Sequence, residues 1–179
     1  MDKPKWQVKS SKILYQSKWL SLIHDEVLTP ENKNATYDII ERKNIALVIP
    51  KLKENTYCMV EQYRYAVDSF SLEFPQGFCE DIDTKQNALR ELEEETGLRA
   101  KKLTLLGTFW ISAGFLRQKC TVFLAEDFEK GNQKLDDTEI GLTNKILTYE
   151  KIVKKVTAGK INNATTIAGL SFLFTKAKS

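Results

Sequence analysis

Between residues 90 and 95 the chain reads Arg-Glu-Leu-Glu-Glu-Glu, four carboxylates and one cation in six consecutive positions. On a helix, Glu91 and Glu95 lie four apart and share a face, with Glu94 beside them. Like charges at that spacing repel, and Arg90 alone cannot neutralise four acids. A hard divalent cation can, because Mg²⁺ takes oxygen ligands from one or two carboxylates and completes its shell with water and phosphate. The competing reading is a solvated acidic face with no ligand at all. The residues around the cluster decide between the two.

The helix that would carry these acids has legible ends. Asp83 or Thr84 can cap its start, and Gly97 stands where a left-handed residue closes a helix, followed by the apolar Leu98. Ala88, Leu92 and the chain beyond Gly97 give it an apolar side. Strand-like segments surround it: Trp6 to Tyr15, Trp19 to Leu28, a turn at Thr29–Asn34, then Ala35 to Arg42 as a hairpin partner. Ile45 to Pro50 is a short apolar run of the kind buried at the centre of a sheet, and Thr56 to Tyr65 is another. Further strands are expected at Leu103–Ser112, Lys119–Glu126 and Leu142–Leu147. Thr148 can cap a helix that Gly159 stops, and a last helix runs from about Ala164 to Lys176 with Ile167, Leu170 and Phe174 on one side. Strands around one central helix, with helices late in the chain, point to an α+β fold.

Composition narrows the class of protein. A chain of 179 residues suits one domain with a sizeable core. The net charge of +3 is too small and too evenly spread to argue for nucleic acid or a membrane surface as partner. Cys58, Cys79 and Cys120 are odd in number and lack metal-type spacing, so they read as reduced thiols. The start, Met-Asp-Lys-Pro-Lys-Trp, carries no apolar segment of the kind a secretion signal needs, and no run reaches membrane-spanning length. A cytoplasmic location is the expectation. His24, the only histidine, falls among strand residues and reads as structural.

With its flanks, the acidic stretch becomes Arg90-Glu91-Leu92-x-Glu94-Glu95-x-Gly97-Leu98, preceded by Gly77. This resembles the Nudix box of the Nudix hydrolases and matches the second half of the box at every fixed position. The interval from Gly77 to Arg90 is one position shorter than in the family, so the family's loop glutamate falls on Ile82 or Asp83. Outside the box, Leu72-Glu73-Phe-Pro-x-Gly77, Gln62-Tyr-Arg64, Ser112-Ala-Gly114-Phe115 and Asp137-Thr-Glu139 are similar to segments of the ADP-ribose pyrophosphatases. Trp19, Tyr37 and Arg42 fall where that subfamily carries purine-stacking aromatics and a ligand arginine.

The resemblance implies an α/β/α sandwich around a mixed central sheet, residues 44–179, preceded by an antiparallel β region, residues 1–43, that completes a homodimer. It implies a nucleoside diphosphate sugar as substrate and Mg²⁺ as cofactor, or Mn²⁺ in its place. A diphosphate repels a nucleophile, so a metal must screen it and polarise the phosphorus–oxygen bond. Glu91 and Glu95 are the expected primary metal ligands, with Glu94 second, the Gln76 carbonyl completing the set, and Glu73 as an outer ligand or partner of a metal-bound water. Arg90 is expected to brace the loop. Glu139 is the expected base for the attacking water, with Asp137 and Glu94 as alternatives. Arg64 and Arg42 would grip phosphate or ribose, and Trp19, Tyr37 and Gly114 would meet the rest of the substrate. ADP-ribose is the first substrate to consider, with GDP-mannose and other sugar nucleotides close behind, because Gln76 and Ala113 stand where the subfamily often has alanine and proline. Two other readings share the fold: a sensor that binds a sugar nucleotide without turnover, and isopentenyl diphosphate isomerase, whose dedicated cysteine and glutamate contexts are not apparent here.

Overall fold

The computed structural model describes residues 5–79 and 83–176, with the backbone alone at Thr138 and at 174–176. Ile82, one of the two positions expected for the loop glutamate, and the Phe174 side chain lie outside the described residues. The chain divides into two compact units, residues 1–43 with 110–119, and residues 44–109 with 120–179.

In the first unit, β1 (Gln7–Gln16), β2 (Ser21–Leu28) and β3 (Asn34–Glu41) form an antiparallel meander, and β9 (Leu116–Arg117) adds in parallel along β3. The turn between β2 and β3 closes through Asn32, whose φ of 60° is the left-handed conformation asparagine tolerates. Only β2 alternates cleanly, burying Ile23, Asp25 and Val27 on one face. His24 sits opposite Asp38 across the β2–β3 pair, with Nδ1 and Oδ1 2.6 Å apart, a structural cross-strand contact. All ten residues of β1 are exposed, apolar ones included.

The second unit is built on β4 (Ile45–Lys53), β5 (Thr56–Arg64), β8 (Leu98–Trp110), β10 (Lys119–Lys130) and β11 (Thr143–Thr148), which form a mixed sheet in the order β11-β5-β4-β10-β8. Two short strands join it, β6 (Ser69–Glu73) along β5 and β7 (Gln76–Phe78) along β4. β4 and β10 run parallel, whereas β4 with β5 and β5 with β11 are antiparallel. The β4 residues show why two helical layers are needed. Ala46 and Val48 pack with Ala88 and Leu92 of α1 (Thr84–Thr96), while Leu47 and Ile49 lie against Gly169 of α3 (Ala164–Lys176). Successive strand side chains point to opposite faces, so a continuous apolar run demands cover on both. The result is the α/β/α sandwich of an α+β fold. The remaining helix, α2 (Tyr149–Thr157), is capped by Thr148, whose side chain accepts the Lys151 N–H, and Gly159 beyond its end has a φ of +68°.

The strands after the box are longer than their sequence patterns suggest. β8 begins directly after Gly97 and β10 continues to Lys130. The three cysteines are free thiols. Burial pushes the Cys58 thiol up to about 11, and burial with Cys79 nearby pushes Cys120 up to about 12, which keeps both protonated at neutral pH. Among the described residues no helix is long and apolar enough to cross a membrane.

Candidate active site

Helix α1 carries the acids on the side it buries. Ala88 and Leu92 are fully buried against the sheet, Glu95, three positions beyond Leu92, is buried on the same side, and Glu91 borders it against Gly77 of β7. Asp83 is the N-cap residue by position, although its side chain makes no capping bond. At the other end the helix is held with full accounting of its last four carbonyls. Glu93 O accepts from Gly97 N–H, Glu94 O from Lys134 N–H, Glu95 O from Gln133 Nε2 and Thr96 O from Asn144 Nδ2, at 2.8, 2.9, 2.7 and 3.0 Å. Gly97 closes the turn with φ +69°. The fourth glutamate, Glu93, faces away from the site and pairs with Arg99 at 2.8 Å.

Glu91 reaches back across β7. A Cβ on Gly77 would lie 2.0 Å from the Glu91 carboxylate, so that carboxylate rests directly on the glycine backbone. Arg90 braces the same corner, donating from Nη2 to Glu91 Oε1 at 3.0 Å and to Asn87 Oδ1 at 3.1 Å. Burial, more than any neighbour, pushes the Glu91 carboxyl up to about 7; Arg90 opposes the shift, and Glu94, Glu139 and Asp136 add to it. Glu95 is only 1% exposed, its Oε2 is buried with no hydrogen-bond partner, and burial followed by Glu139 and Glu91 holds its carboxyl well above the ordinary range. Glu94 is raised by burial and by Asp136 and Glu139, against Arg90.

A buried carboxylate oxygen without a partner, next to other acids, is an environment that a divalent cation would stabilise. The donor set is all oxygen, as Mg²⁺ or Mn²⁺ requires. Among the described residues no three histidine, cysteine, aspartate or glutamate side chains converge closely enough to hold a metal ion by themselves.

Arg64 and Glu73, which the sequence reading treats as separate contacts, are brought together by the β5–β6 pairing. Arg64 Nε donates to Glu73 Oε1 at 2.9 Å and Nη2 to Oε2 at 2.7 Å, a bidentate fork. Burial alone would raise the fully buried Glu73, but Arg64, Ser71 and Gln76 together hold its carboxyl below the usual value. Glu139 is also engaged. In the short 3₁₀ turn Asp137–Glu139 its Oε2 accepts the Asp136 N–H at 3.0 Å, while Asp136 caps the turn in return. Asp136 was not among the expected residues, although Asp-x-x-Glu is a readable capping pattern.

The other expected residues lie in the first unit. There Tyr37 donates its hydroxyl to Gly114 O, and both line a cavity of about 350 Å³ with Trp110, Ala113, Phe115 and Arg117. Trp110 and Arg117 escaped the sequence reading because nothing local marks them. Trp19 is not among the lining residues; Lys18 Nζ sits 4.5 Å from the centre of its ring. Arg42 follows β3, its N–H donating to Arg117 O at 3.4 Å.

Comparison with known proteins gives the following. The NUDIX domain family matches residues 42–167, and the nucleoside diphosphate sugar hydrolase N-terminal domain matches residues 6–40. An ADP-ribose pyrophosphatase of Bacillus subtilis is 31% identical, the match covering 89% of this chain and 88% of that one. A methanol dehydrogenase activator of Bacillus methanolicus is 28% identical over the same shares. The crystal structure of an ADP compounds hydrolase superposes with a TM-score of 0.86 at 17% identity, covering 99% of this chain and 97% of the other.

Proposed function

Since the chain belongs to the Nudix family and is a hydrolase of phosphoric anhydrides, we propose that it splits the diphosphate bridge of ADP-ribose, or of a closely related nucleoside diphosphate sugar, with Mg²⁺. The observation that carries this is Glu95, a buried carboxylate with an unpartnered oxygen, acted on by the nearby carboxylates of Glu139, Glu91 and Glu73. The names of the relatives and the match at residues 6–40 support the choice of substrate.

Glu91, Glu95 and Glu94 would hold the metal with the Gln76 carbonyl, and Glu73, whose two oxygens already accept from Arg64 and Gln76, would act only as an outer ligand or partner of a metal-bound water. The metal, when bound, screens the diphosphate and polarises the bond that breaks. Arg90 keeps Glu91 in place through its contacts within α1. Arg64 faces the diphosphate with the donors that Glu73 does not use. Glu139 takes the proton of the attacking water once its carboxylate leaves the cap of its own turn, and Asp137 and Glu94 remain the alternatives for that step. Tyr37 and Gly114, in their aromatic-lined cavity, and Arg42 and Trp19 are assigned to the base and ribose. The exposed β1, with Val8, Ile13, Leu14 and Tyr15 each more than half exposed on an edge strand, supports a homodimer through this region.

Incubation with ADP-ribose and Mg²⁺ should release AMP and ribose 5-phosphate, read as phosphomonoester formation. Glu95→Gln should abolish turnover while the protein stays folded. Tight binding without turnover across a panel of sugar nucleotides would favour a sensor instead, but a sensor has no use for Glu91, Glu94 and Glu95 together, and all are present.

A further inference from the structure

The side chain of Gln76 makes two contacts that metal binding through its carbonyl does not require. Nε2 donates to Glu73 Oε2 at 2.6 Å, and Oε1 accepts from Thr165 Oγ1 at 2.7 Å. The orientation of the amide is forced, since a carboxylate only accepts, so the NH₂ must face Glu73 and the carbonyl must face the hydroxyl. Thr165 is 8% exposed in the first turn of α3. Its single hydroxyl proton is shared between Gln76 Oε1 and Asn163 Oδ1, the latter 2.6 Å away and also accepting the Thr166 N–H at 2.9 Å. Thr166 Oγ1 in turn accepts the Phe74 N–H at 3.1 Å. The start of α3 is therefore tied to the backbone just after Glu73 and, through Gln76, to the Glu73 carboxylate itself.

Beyond Glu73 stands Arg64. Its fork to Glu73 uses two of the five N–H donors of a guanidinium, and its side chain is 39% exposed. Besides Arg64, the Glu73 carboxylate is held by Ser71 of its own strand and by the Gln76 amide, and of these two the amide is the one tied to α3.

We infer that Gln76 is a positioning residue, whose amide, set by Thr165 of α3, fixes Glu73 so that Arg64 offers its remaining donors to the substrate's phosphate in one orientation. This rests on the proposed function, in which Arg64 meets the diphosphate. Orienting the guanidinium during folding removes that entropy cost from binding. The effect belongs to substrate affinity rather than to the metal.

Gln76→Ala keeps the backbone carbonyl and removes the amide; Thr165→Val keeps the shape of the helix turn and removes the hydroxyl. With ADP-ribose, Gln76→Ala should raise KM about tenfold, the scale of one hydrogen bond to a charged group, and Thr165→Val should raise it severalfold. The half-saturating Mg²⁺ concentration should stay within about twofold of wild type. In an Arg64→Ala background Gln76→Ala should raise KM no further, because it acts through that arginine. Unchanged KM, an equal rise with Arg64 already gone, or a shifted Mg²⁺ requirement would each overturn the inference. Should Gln76→Ala fail to fold, Thr165→Val carries the same comparison. Calorimetry with inorganic pyrophosphate repeats the test without turnover: weaker binding by the variants is expected, and equal binding overturns the inference. A wild type that binds pyrophosphate but turns over no sugar nucleotide sinks the function reading alone.

Discussion

Replacing Glu91 with glutamine should make the metal-free protein more stable at neutral pH and leave it little changed in acid. The Glu91 carboxyl is pushed from an ordinary 4.5 up to about 7, mainly by burial. An acid whose pKa is higher in the folded state keeps its proton there after the unfolded chain has released its own. Stability therefore falls as pH rises from about 4.5 towards 7, and above that the whole loss is in place. Across that gap the ionised form costs the fold about 3 kcal/mol. Glutamine has the same shape and does not ionise. After the lost contact with Arg90 at 3.0 Å takes its share, Glu91→Gln should gain about 1–3 kcal/mol at pH 8. Urea denaturation in EDTA at pH 5 and pH 8, wild type against variant, measures it. Adding Mg²⁺ at pH 8 should then stabilise the wild type and do much less for the variant. A variant less stable than wild type at pH 8 without metal, or one that gains as much from Mg²⁺, refutes the account of this site.

Gly77→Ala should fold normally and lose activity. Its methyl would come within 2.0 Å of the Glu91 carboxylate, a flexible end that swings aside, so Tm should hold while turnover drops about a hundredfold; near-normal turnover would show that the carboxylate's place on Gly77 is immaterial. Glu73→Gln breaks a fully buried carboxylate away from Arg64 and should cost about 2–3 kcal/mol in equilibrium unfolding, the low end for a buried pair because the arginine is partly solvated. A loss under half of that would mean the pair is not holding β5 to β6. Ile13→Lys with Tyr15→Lys on β1 should convert a dimer to monomer in sedimentation velocity without loss of fold. A wild type that sediments as a monomer removes the dimer from the account.

The sequence alone determined the elements whose logic is local. Apolar positions at Ala88 and Leu92 and the stop at Gly97 define α1, and the i, i+4 spacing puts Glu91 and Glu95 on one face whatever surrounds the helix. The apolar run of β4 announces a strand covered on both sides, and Thr148 and Gly159 bracket α2 as their chemistry requires. The Asp136–Glu139 capping box is local too, a pattern within four residues, but the sequence reading takes this stretch only as an acidic loop. What only the tertiary structure decided is which distant groups become neighbours. Arg64 and Glu73 form one unit because β6 pairs with β5, and that register is a property of the assembled sheet rather than of either strand. The carbonyls ending α1 are satisfied by Gln133, Lys134 and Asn144, and Gln76 finds Thr165 from 89 positions away. Periodicity records which side of an element meets the core. Hydrogen bonds between polar groups far apart in the chain leave no such trace, since any amide or hydroxyl could have been the partner until the fold brought one within reach.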